Sequence, residues 1–108
     1  MNMKLVKYML IAILVLGTGE VAAQVQVVSG KVTEMLGNQI EPIVGANVNI
    51  VNAQNRSVGG AVTNLDGDYR LQIPAQENNL TLVYSYIGMK TKRIKYTGQK
   101  VLNVKLES

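Results

Sequence analysis

The sequence predicts an all-β fold, a seven-stranded antiparallel β-sandwich placed behind a short export segment. Three observations carry this prediction. From Gln24 onward, apolar and polar residues alternate with period two, the pattern of strands with one buried face. Clusters of Gly, Asn, Asp or Pro separate the alternating runs. After the N-terminal segment, no stretch sustains the 3.6-residue apolar period of a helix.

Residues 1–23 are read as a signal peptide and residues 24–108 as one domain. Lys4 and Lys7 supply a positive start, residues 8–17 form a ten-residue apolar run, and Val21-Ala22-Ala23 offers small residues for cleavage. A spanning helix needs about 18 apolar residues, whereas this run ends at Gly17 with Glu20 close behind, so cleavage is expected rather than retention as an anchor. The chain of 108 residues contains no cysteine, which leaves neither a lipid-anchoring thiol nor a disulfide. Stability must come from one packed core. After cleavage, nine Lys and Arg face six Asp and Glu, a net charge of +3 that is too mild to indicate nucleic acid.

The first strand spans about residues 25–33, where Ser29, Lys31 and Thr33 alternate with Val28, Gly30 and Val32. Residues 35–45 form the longest loop, and Pro42 within it argues against a strand. In the second strand, Ala46, Val48 and Ile50 alternate with Asn47 and Asn49. The third, residues 58–63, is weakened by Gly59 and Gly60. Tyr69, Leu71 and Ile73 mark the fourth, which Pro74 closes. After the Asn78-Asn79 turn, Leu80, Leu82, Tyr84 and Tyr86 share one face of a fifth strand, and that spacing assigns the tyrosines to packing. Gly88 precedes a sixth at residues 90–96. Thr97-Gly98 precedes the last, in which Leu102, Val104 and Leu106 alternate with Asn103 and Lys105.

Asn64, Asp66 and Asp68 crowd around Gly67 and raise the question of a metal site. An EF-hand loop starting at Asn64 would need Gly at position 6 and Glu at position 12, where this sequence has Tyr69 and Ala75. A tight hairpin explains the same residues, since Asp66-Gly67 supplies the positive φ it requires and Asn and Asp side chains bond the nearby backbone. The absence of histidine and cysteine removes Ser-His-Asp and Cys-His nucleophile systems and the common zinc sites. Glu34 and Glu41 have the composition of a glycosidase pair, yet loop carboxylates are ordinarily just solvated. The sequence thus offers no catalytic residue, cofactor or metal. Lys90, Lys92, Arg93 and Lys95 form a basic cluster that reads either as a partner surface or as protection of an exposed strand edge. The loop around residues 38–41 is a second candidate contact.

The succession VSGKVTE, PIVGANVNI, GGAVTNLDGDYRL, LVYSYIGMKTKRI and LNVKLE resembles the carboxypeptidase regulatory-like domain, a small transthyretin-like β-sandwich, over nearly all of residues 24–108. The matching positions are Gly30, Val32, Gly45-Ala46, Val48, Thr63, Asp66-Gly67, Tyr69 and Ile87-Gly88. Asn64 stands where many relatives have Asp, a change that keeps turn chemistry. Together with the export signal, SYIGMKTKRI is similar to the N-terminal extension of SusC/RagA-type TonB-linked outer-membrane receptors.

That resemblance implies a non-enzymatic accessory domain on the periplasmic side of the outer membrane, serving uptake of glycans or peptides. Its implied partners are the receptor's plug and barrel or the periplasmic energy-transducing proteins, so any contact with the membrane is indirect. Nothing in these 108 residues supplies a barrel, and a fragment or truncated product is expected. The alternative is a free-standing exported module with a binding or structural role.

Overall fold

A computed structural model of the protein describes residues 25–108. The expected signal peptide lies outside the described residues. Among the described residues there are eight strands: β1 (Gln26–Leu36), β2 (Gln39–Pro42), β3 (Asn47–Val51), β4 (Ser57–Val62), β5 (Asp68–Ile73), β6 (Thr81–Ser85), β7 (Lys92–Lys95) and β8 (Val104–Lys105). They build two sheets. In the first, β5 and then β2 pair along one side of β1, and β8 lies on the other. In the second, the order is β4-β3-β6-β7.

The core forms where the alternating faces meet. Val28, Val32, Tyr69, Leu71 and Ile73 of the first sheet are buried against Val48, Ile50, Leu82 and Tyr84 of the second, and Ile43, Ala46, Leu80, Val104 and Leu106 complete the cluster. Asn47 and Asn49, or Arg70 and Gln72, point outward between these residues, so the period-two reading assigned faces correctly. Tyr86 is half-buried against the same core.

Three expectations are corrected. Seven strands become eight because the loop at residues 35–45 contains β2. β1 runs on to Leu36, the chain reverses at Gly37 with φ +63°, and Leu36 pairs with Gln39. Pro42 is compatible because it lies opposite Thr33, whose carbonyl accepts from the Leu106 amide on the far side of β1. At that register the ladder asks β2 for no donor.

Second, the stretch around Asp66-Gly67 is a turn but not a hairpin between paired strands, since β4 belongs to one sheet and β5 to the other. Third, pairing is not wholly antiparallel. The last strand contributes only Val104–Lys105 to a ladder and runs parallel to Val32 and Thr33 of β1.

Candidate functional site

The motif residues converge on the crossing between the sheets. Thr63 is buried, its Oγ1 accepting from the Ala46 amide at 2.9 Å and donating to the Ile43 carbonyl at 2.5 Å. Those bonds satisfy two backbone groups that the crossover would otherwise bury unpaired. The Asn64 side-chain oxygen accepts from the Asp66 amide at 3.0 Å and the Asp68 amide at 2.9 Å. Gly67 closes the turn with φ +76°, and a Cβ there would lie 2.7 Å from the Val32 carbonyl oxygen. Asp68 pairs with Lys31 Nζ at 3.0 Å, which also donates to the Asp66 carbonyl. Asn64 and Asp68, two of the three residues that suggested a metal, are therefore engaged in holding the turn.

A second polar cluster lies within the core. Tyr69 donates its hydroxyl to the Leu102 carbonyl at 2.6 Å and accepts from Tyr84, whose hydroxyl is also 2.6 Å away. Their rings meet edge to face at 5.5 Å. Burial pushes both hydroxyls above the ordinary tyrosine range, and for Tyr84 the bond to Tyr69 pushes the same way. Gly30 makes room for the acceptor: a Cβ there would lie 1.8 Å from the Leu102 oxygen. Tyr69 and Tyr84 thus tie both sheets to the C-terminal segment.

Glu34 and Glu41 are brought together as direct cross-strand partners of β1 and β2, both half-buried. They are neighbours on one sheet face, whereas a glycosidase pair must flank a bond held between them. Residues 39–41 of the second candidate contact are strand residues of β2 rather than loop.

The basic candidates divide. Arg93 and Lys95 lie on the outer face of the second sheet, opposite Val83 and Thr81. Arg93 also donates to Asn55 Oδ1 at 2.9 Å. Lys92 has the opposite parity, and with Lys90 and Thr91 it lines a cavity of about 180 Å³ whose other wall is Lys105, Leu106 and Glu107. The Lys90 amide donates to the Glu107 carbonyl at 2.7 Å, closing the edge of one sheet onto the end of the other. Among the described residues the only ion pair is Lys31 with Asp68, so none of these four cations is neutralised by a neighbouring carboxylate. Sequence reasoning missed Lys105, which is 10 residues beyond Lys95 in the chain and reaches the cluster only through β8 pairing.

The arrangement matches known proteins at two levels. The family model of the CarboxypepD_reg-like domain matches residues 28–108. The chain belongs to this domain family. It is also 36% identical, over 75 residues, to the TonB-dependent receptor P39 of Formosa agariphila. That alignment takes in 68% of this chain and 7% of the receptor, so the chain spans a small part of its relative's length. Among solved structures, the major plantain pollen allergen Pla l 1 has a TM-score of 0.53 at 14% identity, covering 79% of this chain and 94% of the allergen. That likeness concerns the fold alone. Gly30, Thr63, Gly67 and Tyr69, four of the positions on which the sequence resemblance rests, fasten the crossover and the core.

Proposed function

We propose that this chain is a non-enzymatic accessory domain of a SusC/RagA-like TonB-dependent outer-membrane receptor for glycan or peptide uptake, exported by its N-terminal signal and held on the periplasmic side. The observation that carries this reading is the 36% identity of its β-sandwich to one short portion of a TonB-dependent receptor. On this reading the plug and barrel lie outside the 108 residues, and Lys90, Lys92, Arg93 and Lys95 form the surface through which the domain contacts the receptor or its periplasmic energy-transducing partners. The local chemistry agrees with a non-catalytic role. The polar side chains of the crossover and core are engaged in backbone and tyrosine bonds, and a scaffold whose polar groups hold itself together has few to spare for a substrate.

Sequencing the gene past codon 108, joined to fractionation of tagged chain from its host, tests the reading. A frame continuing into plug and barrel, or co-purification with a TonB-dependent receptor from outer membranes, is expected. A stop codon together with chain recovered free of any such receptor would overturn it in favour of a free-standing exported module.

A further inference from the structure

β7 is the outermost strand of its sheet. The Tyr96 amide donates to the Leu80 carbonyl at 2.9 Å, so in an antiparallel ladder Ile94 and Lys92 also turn their peptide groups toward β6. Arg93 and Lys95 turn theirs outward. Gln99 Nε2 covers the Lys95 carbonyl at 3.2 Å, while the Arg93 peptide group and the Lys95 amide face away from the sheet. Such an edge is a template for another strand, and its cations repel a second copy of itself.

Repulsion of that kind is selective, because the same charges attract an acidic strand. Two observations exceed what edge protection requires. Residues 90–108 carry six Lys and Arg against one acid, whereas residues 25–89 carry three against five, so the domain is polarised toward this side. In addition, Lys105 comes from the other sheet to share a cavity with Lys90 and Lys92. At about 180 Å³ that cavity is smaller than ordinary ligand sites of roughly 300–1,000 Å³, and it suits a single carboxylate-bearing side chain better than a sugar chain.

We propose that β7 accepts an acidic, extended polypeptide segment as an added strand. Carboxylates two residues apart, about 7 Å along a strand, pair with Arg93 and Lys95, and a further carboxylate at odd spacing, on the opposite face, enters the cavity where Lys90, Lys92 and Lys105 outnumber the one acid, Glu107. A membrane surface fits less well, since it would need cations in one plane, and here Arg93 and Lys95 face one way, Lys92 the other, and Lys105 comes from the opposite sheet. The inference deepens the proposed function and rests on it only for which protein owns the segment.

The test uses the purified chain and a labelled threonine-based nonapeptide with Glu at positions 2, 4 and 7, the first two on one strand face and the third on the other, with binding read by fluorescence anisotropy at low salt. The Glu-Thr peptide binds at least tenfold tighter than a Lys-Thr peptide. Methylating the main-chain nitrogens of the peptide, which removes its donors and keeps its charges, weakens binding at least fivefold. Arg93→Gln with Lys95→Gln weakens it about tenfold, and Arg70→Gln on the other sheet changes it less than twofold, with circular dichroism confirming that all variants fold. Equal binding of the Lys-Thr or N-methylated peptide would overturn the proposal, as would no binding of the Glu-Thr peptide up to millimolar concentration. Capture by phosphatidylglycerol vesicles or a sulfated glycan in place of the peptide would also overturn it. A receptor that co-purifies although acidic peptides fail would remove this inference and leave the proposed function standing; peptide binding without any receptor would do the reverse.

Discussion

Replacing Gly30 with alanine tests the core architecture most directly. The new Cβ would sit 1.8 Å from the Leu102 carbonyl oxygen and 2.6 Å from its carbon, with the Tyr69 ring at 3.2 Å. Ordinary carbon-to-oxygen contacts are roughly 3.3 Å or longer, so the C-terminal segment must retreat by about 1.5 Å. Three hydrogen bonds depend on its present position: Leu102 amide to Ser29 carbonyl at 2.9 Å, Tyr69 hydroxyl to Leu102 at 2.6 Å, and Lys31 amide to Asn103 Oδ1 at 3.0 Å. Losing part of this set at about 1 kcal/mol per bond, and leaving the Tyr69–Tyr84 hydroxyl pair with one buried proton that has no acceptor, amounts to roughly 4 kcal/mol once overpacking is included.

A domain of 84 described residues has a total stability of roughly 4–12 kcal/mol, so this variant would lose a large share of it. Urea unfolding measures the loss, followed by circular dichroism and tyrosine fluorescence because the chain has no tryptophan. Gly37→Ala is the control: its φ of +63° makes alanine strained, but a Cβ there meets nothing within 4 Å, and the expected cost is about 1 kcal/mol. A Gly30→Ala loss below about 1 kcal/mol, or below that of Gly37→Ala, would refute the packing argument.

Thr63→Val keeps the shape but strands the Ala46 amide and Ile43 carbonyl, and the urea midpoint should report a loss of about 2–4 kcal/mol, largely restored by serine. Asn64→Ala removes two accepted amide bonds and should cost about 1–2 kcal/mol, while millimolar calcium leaves the wild-type midpoint unchanged. Tyr69 and Tyr84 are raised above 10.0 in the fold, so their stabilisation is complete below about pH 10 and is lost as pH rises further, because the unfolded chain then releases protons that the native state keeps. Unfolding free energies from urea titrations across that range should fall by about 1.4 kcal/mol per pH unit for each tyrosine, and Tyr84→Phe should flatten the slope.

The inward faces were legible because burial of one sheet face imposes period two on the side chains, and Tyr69, Leu71 and Ile73 show it without interruption. Pairing partners were less legible. A turn such as that at Asp66-Gly67 looks the same locally whether its flanking strands pair or separate into different sheets, and only the long-range contacts of Thr63 and Gly67 decide. β2 was hidden by Pro42, whose tolerance depends on a register that no local pattern reveals. The basic residues of β7 were visible as a run in the sequence. Their division between two faces required the β6–β7 register, and the arrival of Lys105 required the β1–β8 pairing.

The placement of the motif residues bears on where function resides. Thr63 and Gly67 fasten the crossover between sheets, and Gly30 and Tyr69 lock the C-terminal segment onto the first sheet. Each such contact uses up the polar group or the space that would make the residue available to a ligand. These residues therefore specify a scaffold, and a scaffold of this kind distinguishes its partners through what it leaves exposed. Here the exposed strand edge with the most distinctive chemistry is β7, where outward peptide groups and unneutralised cations coincide. Selectivity that rests on an edge strand can change by surface substitution without disturbing the core, because Arg93 and Lys95 point away from every buried residue that holds the sandwich together.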